Sequence, residues 1–218
     1  MNSQRTLLTY SEVQDKINKT KKNMLVGIDY SLNSPAICIE TLKEGKPFYN
    51  FITVQKKDNK CNRKLNMLND VQVIVLEKEN ASEFDFINKQ TDTIIQCIEQ
   101  IMNLHKEKEL IIGIEDYIYY SQQSSLIDIV QATTVLKYKI IKKWGEGTLN
   151  KYSPTHVKKT FAENGKASKD DMLFAYNRMK LTNPFAEWCH KLSKSHKPEE
   201  DCIDAFAVLT TLKSEMNK

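Results

Sequence analysis

The chain has 218 residues, of which 40% are apolar and 28% are charged, and its formal net charge is +4. This length suits one compact domain with accessories, and the apolar share excludes a wholly disordered protein. The apolar runs, such as ELIIGI, fall far short of the roughly 20 residues that a membrane-spanning helix needs, and the amino terminus lacks a signal-peptide pattern. The expected location is therefore cytoplasmic, with no membrane association.

Positive charge is concentrated in one third of the chain. Residues 137–197 hold 14 Lys and Arg against 5 Asp and Glu, whereas the other residues hold 18 against 23. A local surplus of this kind favours a polyanionic partner such as nucleic acid. Lysines that solvate helix faces are the ordinary alternative, so the charge alone does not decide between the two.

The five cysteines do not predict a disulfide framework or a zinc site. Their number is odd and no CxxC pair occurs, which is typical of reduced thiols in an intracellular protein. One looser group matches no tetrahedral zinc spacing, so buried or incidental residues are the better interpretation. It consists of Cys189, His190, His196 and Cys202.

The first third of the chain predicts a polar extension and then a meander of strands. Residues 1–22 are polar and show no strong period, and the compact domain is assigned to residues 23–218. NMLVGIDYS, SPAICIETL and KPFYNFITVQ are β-branched runs, and the turn KEGK joins the last two, which predicts three antiparallel strands. The region 56–84 is interpreted as a loop or insertion, with VQVIVLE as a candidate extra strand.

The remaining two thirds alternate between helical and strand patterns. Residues 84–107 repeat apolar side chains at helical spacing, LIIGIED is typical of a buried parallel strand, and SSLIDIVQATTVLKYKIIKKW is again helical. GTLNKYS predicts a short strand, Pro154 and Ser168 begin two further helices, and residues 198–214 form the last one. This order predicts an α/β fold with a mixed five-stranded sheet, antiparallel strands first and parallel strands after, flanked by helices.

Acidic residues lie at the ends of two strands and near the start of one helix, where the apolar pattern predicts none. Asp29 follows LVGI, Glu115 follows IIGI, and Asp201 and Asp204 lie one helical turn apart in KPEEDCIDAFAVL. Each acid alone has an ordinary explanation as a turn residue, a solvated strand end or a favourable charge at a helix amino terminus. If the first and fourth strands pair in parallel, their carboxyl ends bring Asp29 and Glu115 side by side, at the edge where open α/β sheets hold their sites.

Together the four acids predict a centre for divalent metal ions. Asp201 and Asp204, at i and i+3, point at the same edge if AFAVL packs the helix onto the sheet. Carboxylates this close repel one another unless cations neutralise them, and oxygen-only ligands select Mg²⁺ or Mn²⁺. Two such ions, about 3.5 to 4 Å apart, stabilise the attacking and leaving oxygens of a phosphodiester displacement.

Four segments carry a resemblance to a known family: GIDYSLNSPAICIE, IIGIEDYIYY, KYSPTHVKKTFAENGKASKDDM and KPEEDCIDAFAVL. In this order they resemble the first strand, the fourth strand, the Lys-rich helix and loop, and the closing acidic helix of RuvC-like Holliday junction resolvases. The resemblance spans residues 24–212 and implies a ribonuclease H-like fold. YSLNSP after the first acid is closer to phage-type members than to the Gly-rich turn of bacterial ones, and residues 56–84 are longer than in the bacterial enzymes.

The resemblance also implies roles for individual residues. It implies that the catalytic metal ligands of this chain are Asp29, Glu115, Asp201 and Asp204, with two ions per active site. It also implies that the lysines near the scissile phosphate are Lys158, Lys166 and Lys169. NGKASK is not a nucleotide-binding P-loop, because such a loop has Gly where this chain has Thr160, so no nucleotide cofactor is expected. Lysines of this kind position a DNA strand without reading its bases.

Two further segments are expected to contact DNA or a second subunit. Tyr117, Tyr119 and Tyr120 follow Glu115, where related enzymes carry a residue that wedges against bases, although at least one of the three is equally consistent with core packing. By resemblance, the helix LIDIVQATTVLKYKII forms a two-fold dimer interface. Its apolar period alone is equally consistent with packing on the sheet.

The predicted function is that of a Mg²⁺-dependent endonuclease that nicks four-way DNA junctions as a homodimer and leaves 5′-phosphates. One alternative is a ribonuclease H-like nuclease that acts on RNA:DNA hybrids or DNA ends, and paired cuts in a four-way junction would separate the two. Another alternative is a non-catalytic module that binds branched DNA. It predicts binding that is indifferent to Mg²⁺ and no nicked product.

Overall fold

The computed structural model describes residues 23–77, 82–105, 109–116 and 126–218, and within them a six-stranded sheet forms the centre. The strands in chain order are β1 (Met24–Asp29), β2 (Ala36–Lys43), β3 (Lys46–Gln55), β4 (Val71–Val75), β5 (Leu110–Glu115) and β6 (Leu149–Tyr152). Across the sheet they follow the order β4-β3-β2-β1-β5-β6. β2 is antiparallel to both β1 and β3. The other three pairings, β1 with β5, β5 with β6 and β3 with β4, are parallel.

Helices cover both faces of the sheet. In the described part of the chain they are α1 (Lys60–Leu65), α2 (Glu83–His105), α3 (Leu126–Trp144), α4 (Pro154–Ala162), α5 (Lys169–Arg178), α6 (Pro184–Cys189) and α7 (Glu199–Met216). α2 and α3 share one apolar cluster with Val26 and Ile28 of β1, whereas α4 to α7 share another with Leu25 of the same strand. This alternation is the period of two that a strand buried on both faces requires. No helix in these ranges has the length and apolarity to span a membrane.

The mixed α/β architecture predicted from the sequence is confirmed, with differences inside residues 56–84. The sheet has six strands instead of five because Val71–Val75 pairs in parallel with β3. The polar stretch before it, interpreted as a loop, contains the short helix α1, which Asn59 caps by accepting a hydrogen bond from the backbone N–H of Asn62 at 2.9 Å. α6 was also not predicted. Six-residue helices carry too few apolar repeats to give a periodic signal.

Two predicted helix starts are confirmed by their caps. Ser168 accepts from the backbone N–H of Asp171, whose side chain accepts from the backbone N–H of Ser168, so α5 begins with a capping box. Pro154 opens α4 after Ser153, which caps it. The predicted extension 1–22 lies outside the described residues, so the domain boundary at residue 23 stays a prediction.

A pair of glycines allows α7 to lie directly on the sheet. Gly27 of β1 and Gly113 of β5 are paired in register. A Cβ atom at Gly27 would lie 2.5 Å from the backbone nitrogen of Leu209 and closer still to the carbonyl oxygen of Ala205. At Gly113 it would lie 3.2 Å from a methyl group of Val208. The absence of both Cβ atoms therefore sets the depth at which the acidic helix sits.

Candidate active site

Four acidic side chains meet at the edge of the sheet where β1 and β5 end. Ile28 pairs with Ile114 in parallel register, so the next residue of each strand leaves the sheet at the same edge. α7, which packs across both strands, contributes two further acids from its first two turns. We call these four residues the acid cluster: Asp29, Glu115, Asp201 and Asp204.

All members of the acid cluster line one cleft of about 280 Å³, and Lys158, Lys169 and Lys197 line the same cleft. Asp201 and Asp204 are 3% and 7% exposed, which is unusual for carboxylates. The cleft therefore combines buried negative charge with ammonium groups in its walls.

Burial and mutual repulsion both make it harder to ionise the acid cluster. Burial raises the pKa of Asp29 well above its usual range, and the charges of Asp204, Glu115 and Asp201 raise it further. Burial, with Asp204 adding to it, raises the pKa of Glu115 to about 7. Burial also raises the pKa of Asp201 and of Asp204, against the opposing effects of neighbouring ammonium groups. Added positive charge would relieve this repulsion.

Two ammonium groups and one hydroxyl already stabilise the carboxylates of the acid cluster. Lys169 forms an ion pair and hydrogen bond with Asp204. Burial lowers the pKa of Lys169, but the charge and hydrogen bond of Asp204, together with the charges of Asp29 and Asp201, give a net upward shift, so the amine is protonated. The Nζ atom of Lys197 lies 3.5 Å from Oδ1 of Asp201. The hydroxyl of Ser34, on the loop after β1, donates to the other oxygen of Asp201 at 2.7 Å.

The donor atoms of the acid cluster suit a divalent cation, although the side chains that carry them are not close enough together to surround an ion. Among the described residues, no three His, Cys, Asp or Glu side chains stand close enough together to form a ready metal site. The donors are nevertheless all carboxylate oxygens, the ligands that Mg²⁺ and Mn²⁺ prefer. Burial, with repulsion between neighbouring acids, raises the pKa of Asp29 and of Glu115 even with lysines present.

Two of the three lysines that were predicted to contact DNA line the cleft, and the third lies outside its lining. Lys158 and Lys169 line the cleft, and the Nζ atom of Lys158 also donates to the carbonyl oxygen of Ala167 at 2.9 Å. Lys166 is exposed on the loop before α5, outside the lining of the cleft. The predicted wedge residues lie outside the described part of the chain: Tyr117, Tyr119 and Tyr120.

Sequence reasoning missed two residues that contact the acid cluster. Lys197 precedes Asp201 by four positions, a spacing that is available in the sequence as a helical ion-pair signal. Ser34 is 167 residues from Asp201, and no local pattern indicates their contact. The tertiary fold alone brings them together.

Comparisons with known proteins point to one family. Residues 59–211 match the family model described as "Crossover junction endodeoxyribonuclease RuvC", a range that includes Glu115, Asp201 and Asp204 but begins after Asp29. The protein of that name from Prochlorococcus marinus (strain AS9601) is 30% identical over 130 residues, which cover 58% of this chain and 73% of the relative. The one from Helicobacter pylori (strain G27) is 27% identical over 93 residues, which cover 43% of this chain and 57% of the relative.

A solved structure shares the fold. The Thermus thermophilus RuvC structure has a TM-score of 0.53 and 14% sequence identity, and the match covers 89% of this chain and 96% of that one. At this identity the likeness concerns the fold alone, and it confirms the predicted ribonuclease H-like class.

Proposed function

The chain belongs to the RuvC family of crossover junction endodeoxyribonucleases, and from this premise we propose that it resolves four-way DNA junctions by cutting phosphodiester bonds in the cleft of the acid cluster. One observation carries the proposal: four acids from β1, β5 and α7 line one small cleft between lysines. A cleft of this charge pattern suits a phosphodiester whose hydrolysis is assisted by metal ions.

We propose that the acid cluster holds two Mg²⁺ ions, with Mn²⁺ as a substitute. When bound, such ions would activate a water molecule and stabilise the charge that develops on the phosphate. The proposed products carry 5′-phosphates. The chain itself supplies the carboxylates, holds Asp201 in place through Ser34, and offsets phosphate charge through Lys158 and Lys169. Lys166, exposed on the adjoining loop, is proposed to hold the same strand farther from the cut.

We also propose that α3 forms the interface of a symmetric homodimer. Ile127 and Tyr138 of this helix are 67% and 61% exposed, and Ile141 adds to the same side. These positions are 11 and 14 residues apart, close to whole numbers of helical turns, so they form one apolar stripe. A four-way junction presents two equivalent strands, which a two-fold dimer would cut symmetrically.

Cleavage of a synthetic mobile four-way junction tests the function. Each strand is labelled in turn, and the products are mapped with and without Mg²⁺ for the wild-type chain and for Asp29→Asn and Asp204→Asn. We expect paired, Mg²⁺-dependent nicks by the wild type, and junction binding without nicking by both variants.

Three results would contradict the proposal. Full nicking by both variants would remove the acid cluster from the reaction. Preference for RNA:DNA hybrids or DNA ends in a panel at equal concentration would change the substrate. Junction binding that is indifferent to Mg²⁺, without any product, would indicate a non-catalytic binding module.

A further inference from the structure

Strand polarity places the end of β3 at the same edge of the sheet as the acid cluster. β3 and β1 are both antiparallel to β2, so they end at one edge. β5 and β6 end there too, because they run parallel to β1. In the sheet, β3 lies two strands from β1 on one side, and β6 lies two strands away on the other. The segments after β3 and after β6 therefore flank the acid cluster, each about 10 Å from β1.

The two flanks are both basic, but only one of them has a role so far. α4 follows β6 and carries Lys158, and α5 begins with Lys169. The flank after β3 is residues 56–64, KKDNKCNRK, with four Lys and one Arg against one Asp. This stretch belongs to the region 56–84, whose purpose the proposed function leaves unexplained.

Hydrogen bonds fix this second flank against α7. The thiol of Cys61 donates to Oε1 of Glu199 at 3.2 Å, and Glu199 is 2% exposed at the start of the helix that carries Asp201. The buried side chain of Asn62 donates to the carbonyl oxygen of Lys57 at 2.8 Å, which fixes the turn before α1. The lysines of this segment therefore project from a positioned backbone beside the acidic helix.

Three lysines of the second flank are available to a partner. Arg63 is engaged with Asp58 at 2.6 Å, and Lys56 lies over the ring of Phe86. The remaining three are exposed and form no ion pair within the ranges that the structure describes: Lys57, Lys60 and Lys64.

Lys197 connects this flank to the acid cluster. Its side chain is 61% exposed, its ammonium group lies 3.5 Å from Asp201, and it lines the cleft. We call the four lysines of this side the α1 basic surface: Lys57, Lys60, Lys64 and Lys197.

We propose that the α1 basic surface binds the phosphate backbone of a second double-stranded arm of the DNA substrate, on the side of the acid cluster away from Lys158 and Lys169. The inference rests on the proposed function, because a junction has duplex arms on both sides of the strand that is cut. The acid cluster repels phosphate, so positive charge on both flanks holds DNA across it better than charge on one. Such contacts are independent of base sequence and strongly dependent on salt.

Salt-dependent binding measures this surface directly. The 218-residue chain carrying Asp29→Asn is bound to a four-way junction in Mg²⁺ at several salt concentrations, with and without the double substitution Lys60→Ala/Lys64→Ala. Each phosphate contact contributes about 0.9 to the slope of log K against log salt concentration, so the double variant should lower the slope by about 1 to 2. Lys60→Arg/Lys64→Arg should preserve the slope.

A matched control removes the same charge from the opposite edge of the sheet. Lys43→Ala/Lys46→Ala flanks the turn between β2 and β3, where both lysines are exposed, and should leave the slope unchanged. An unchanged slope in Lys60→Ala/Lys64→Ala, or an equal decrease in the control, would overturn the proposal. Thermal unfolding checks the fold of each variant, and Lys60→Gln/Lys64→Gln replaces the alanine pair if that pair is unfolded.

The outcomes separate the two proposals. Failure of the wild-type chain to nick a junction contradicts the proposed function, whatever the slopes. If the wild-type chain nicks the junction but the slope of the Asp29→Asn chain does not depend on Lys60 and Lys64, only the binding role of the α1 basic surface is contradicted.

Discussion

Substituting Gly27 with alanine tests whether the depth of α7 controls catalysis. The new Cβ atom would lie 2.5 Å from the Leu209 nitrogen, whereas ordinary contacts begin at 3.4 Å, so helix and strand must separate by about 1 Å. The two nearest obstructing atoms, the carbonyl oxygen of Ala205 and the nitrogen of Leu209, belong to the backbone of α7 and cannot rotate away. Overpacking of this kind costs about 1 to 3 kcal/mol or more of the free energy of unfolding. A misplacement of about 1 Å also costs up to roughly 100-fold in rate.

Two other glycines provide graded controls. Gly113→Ala meets side-chain atoms of Val208 and Tyr152 at 3.2 Å, so a small shift relieves it and the effects should be smaller. Gly147→Ala meets nothing within 4 Å and should change neither property. Denaturant unfolding and the single-turnover rate of junction cleavage measure the two effects. If Gly27→Ala retained both the stability and the cleavage rate of the wild type, the helix would not be held by this close approach.

The other predictions concern protonation, assembly and the support of Asp201. The pKa of Glu115 is raised from 4.5 to about 7, so without metal the folded chain binds more protons than the unfolded chain in this window. The melting temperature of the metal-free protein should therefore fall as pH rises from about 4.5 to about 7. If Glu115→Gln left the dependence of melting temperature on pH unaltered, Glu115 would not be the group responsible. Tyr138→Lys on α3 should convert dimer to monomer in sedimentation experiments, whereas Met67→Lys, at another exposed apolar position outside α3, should not. Ser34→Ala removes the hydrogen bond to Asp201, so it should raise the Mg²⁺ concentration needed for half-maximal cleavage and for half-maximal thermal stabilisation. Ser34→Thr should restore both concentrations. Equal Mg²⁺ requirements in the wild type and Ser34→Ala would contradict a positioning role for Ser34.

Local patterns in the sequence predict the strands and helices that carry the acids. The runs LVGI and IIGI are short, apolar and followed by polar residues, so they indicate buried strands with acids at their ends. Ser168 is recognisable as a cap because capping depends on neighbours three residues away. The parallel pairing of β1 with β5 follows from the fold class that the element order favours.

Contacts between distant segments were not predictable in the same way. α1 is only six residues long, and its Cys61 contacts Glu199, which is 138 residues away along the chain. Ser34 likewise reaches Asp201 only because the loop after β1 and the start of α7 share one edge of the sheet. Lys197 was missed for another reason, because it looks like an ordinary solvated residue until the burial of Asp201 is known. Lys169 was predicted to contact phosphate, but its ion pair with Asp204 was not predicted.

The repeated pattern Gly-Ile-acid explains how two strands create both the seat of α7 and the acids that face it. In β1 and β5 the isoleucines, Ile28 and Ile114, pack into the layer of α2 and α3. Because side chains alternate along a strand, the glycine and the acid on either side of each isoleucine share the opposite face, toward α7. The missing glycine side chains let the helix approach, and two residues later the acids meet its first turns. A register slip of one residue between β1 and β5 would bury an isoleucine under α7 and turn an acid into the apolar layer. The register that buries the core is thus also the register that assembles the acid cluster.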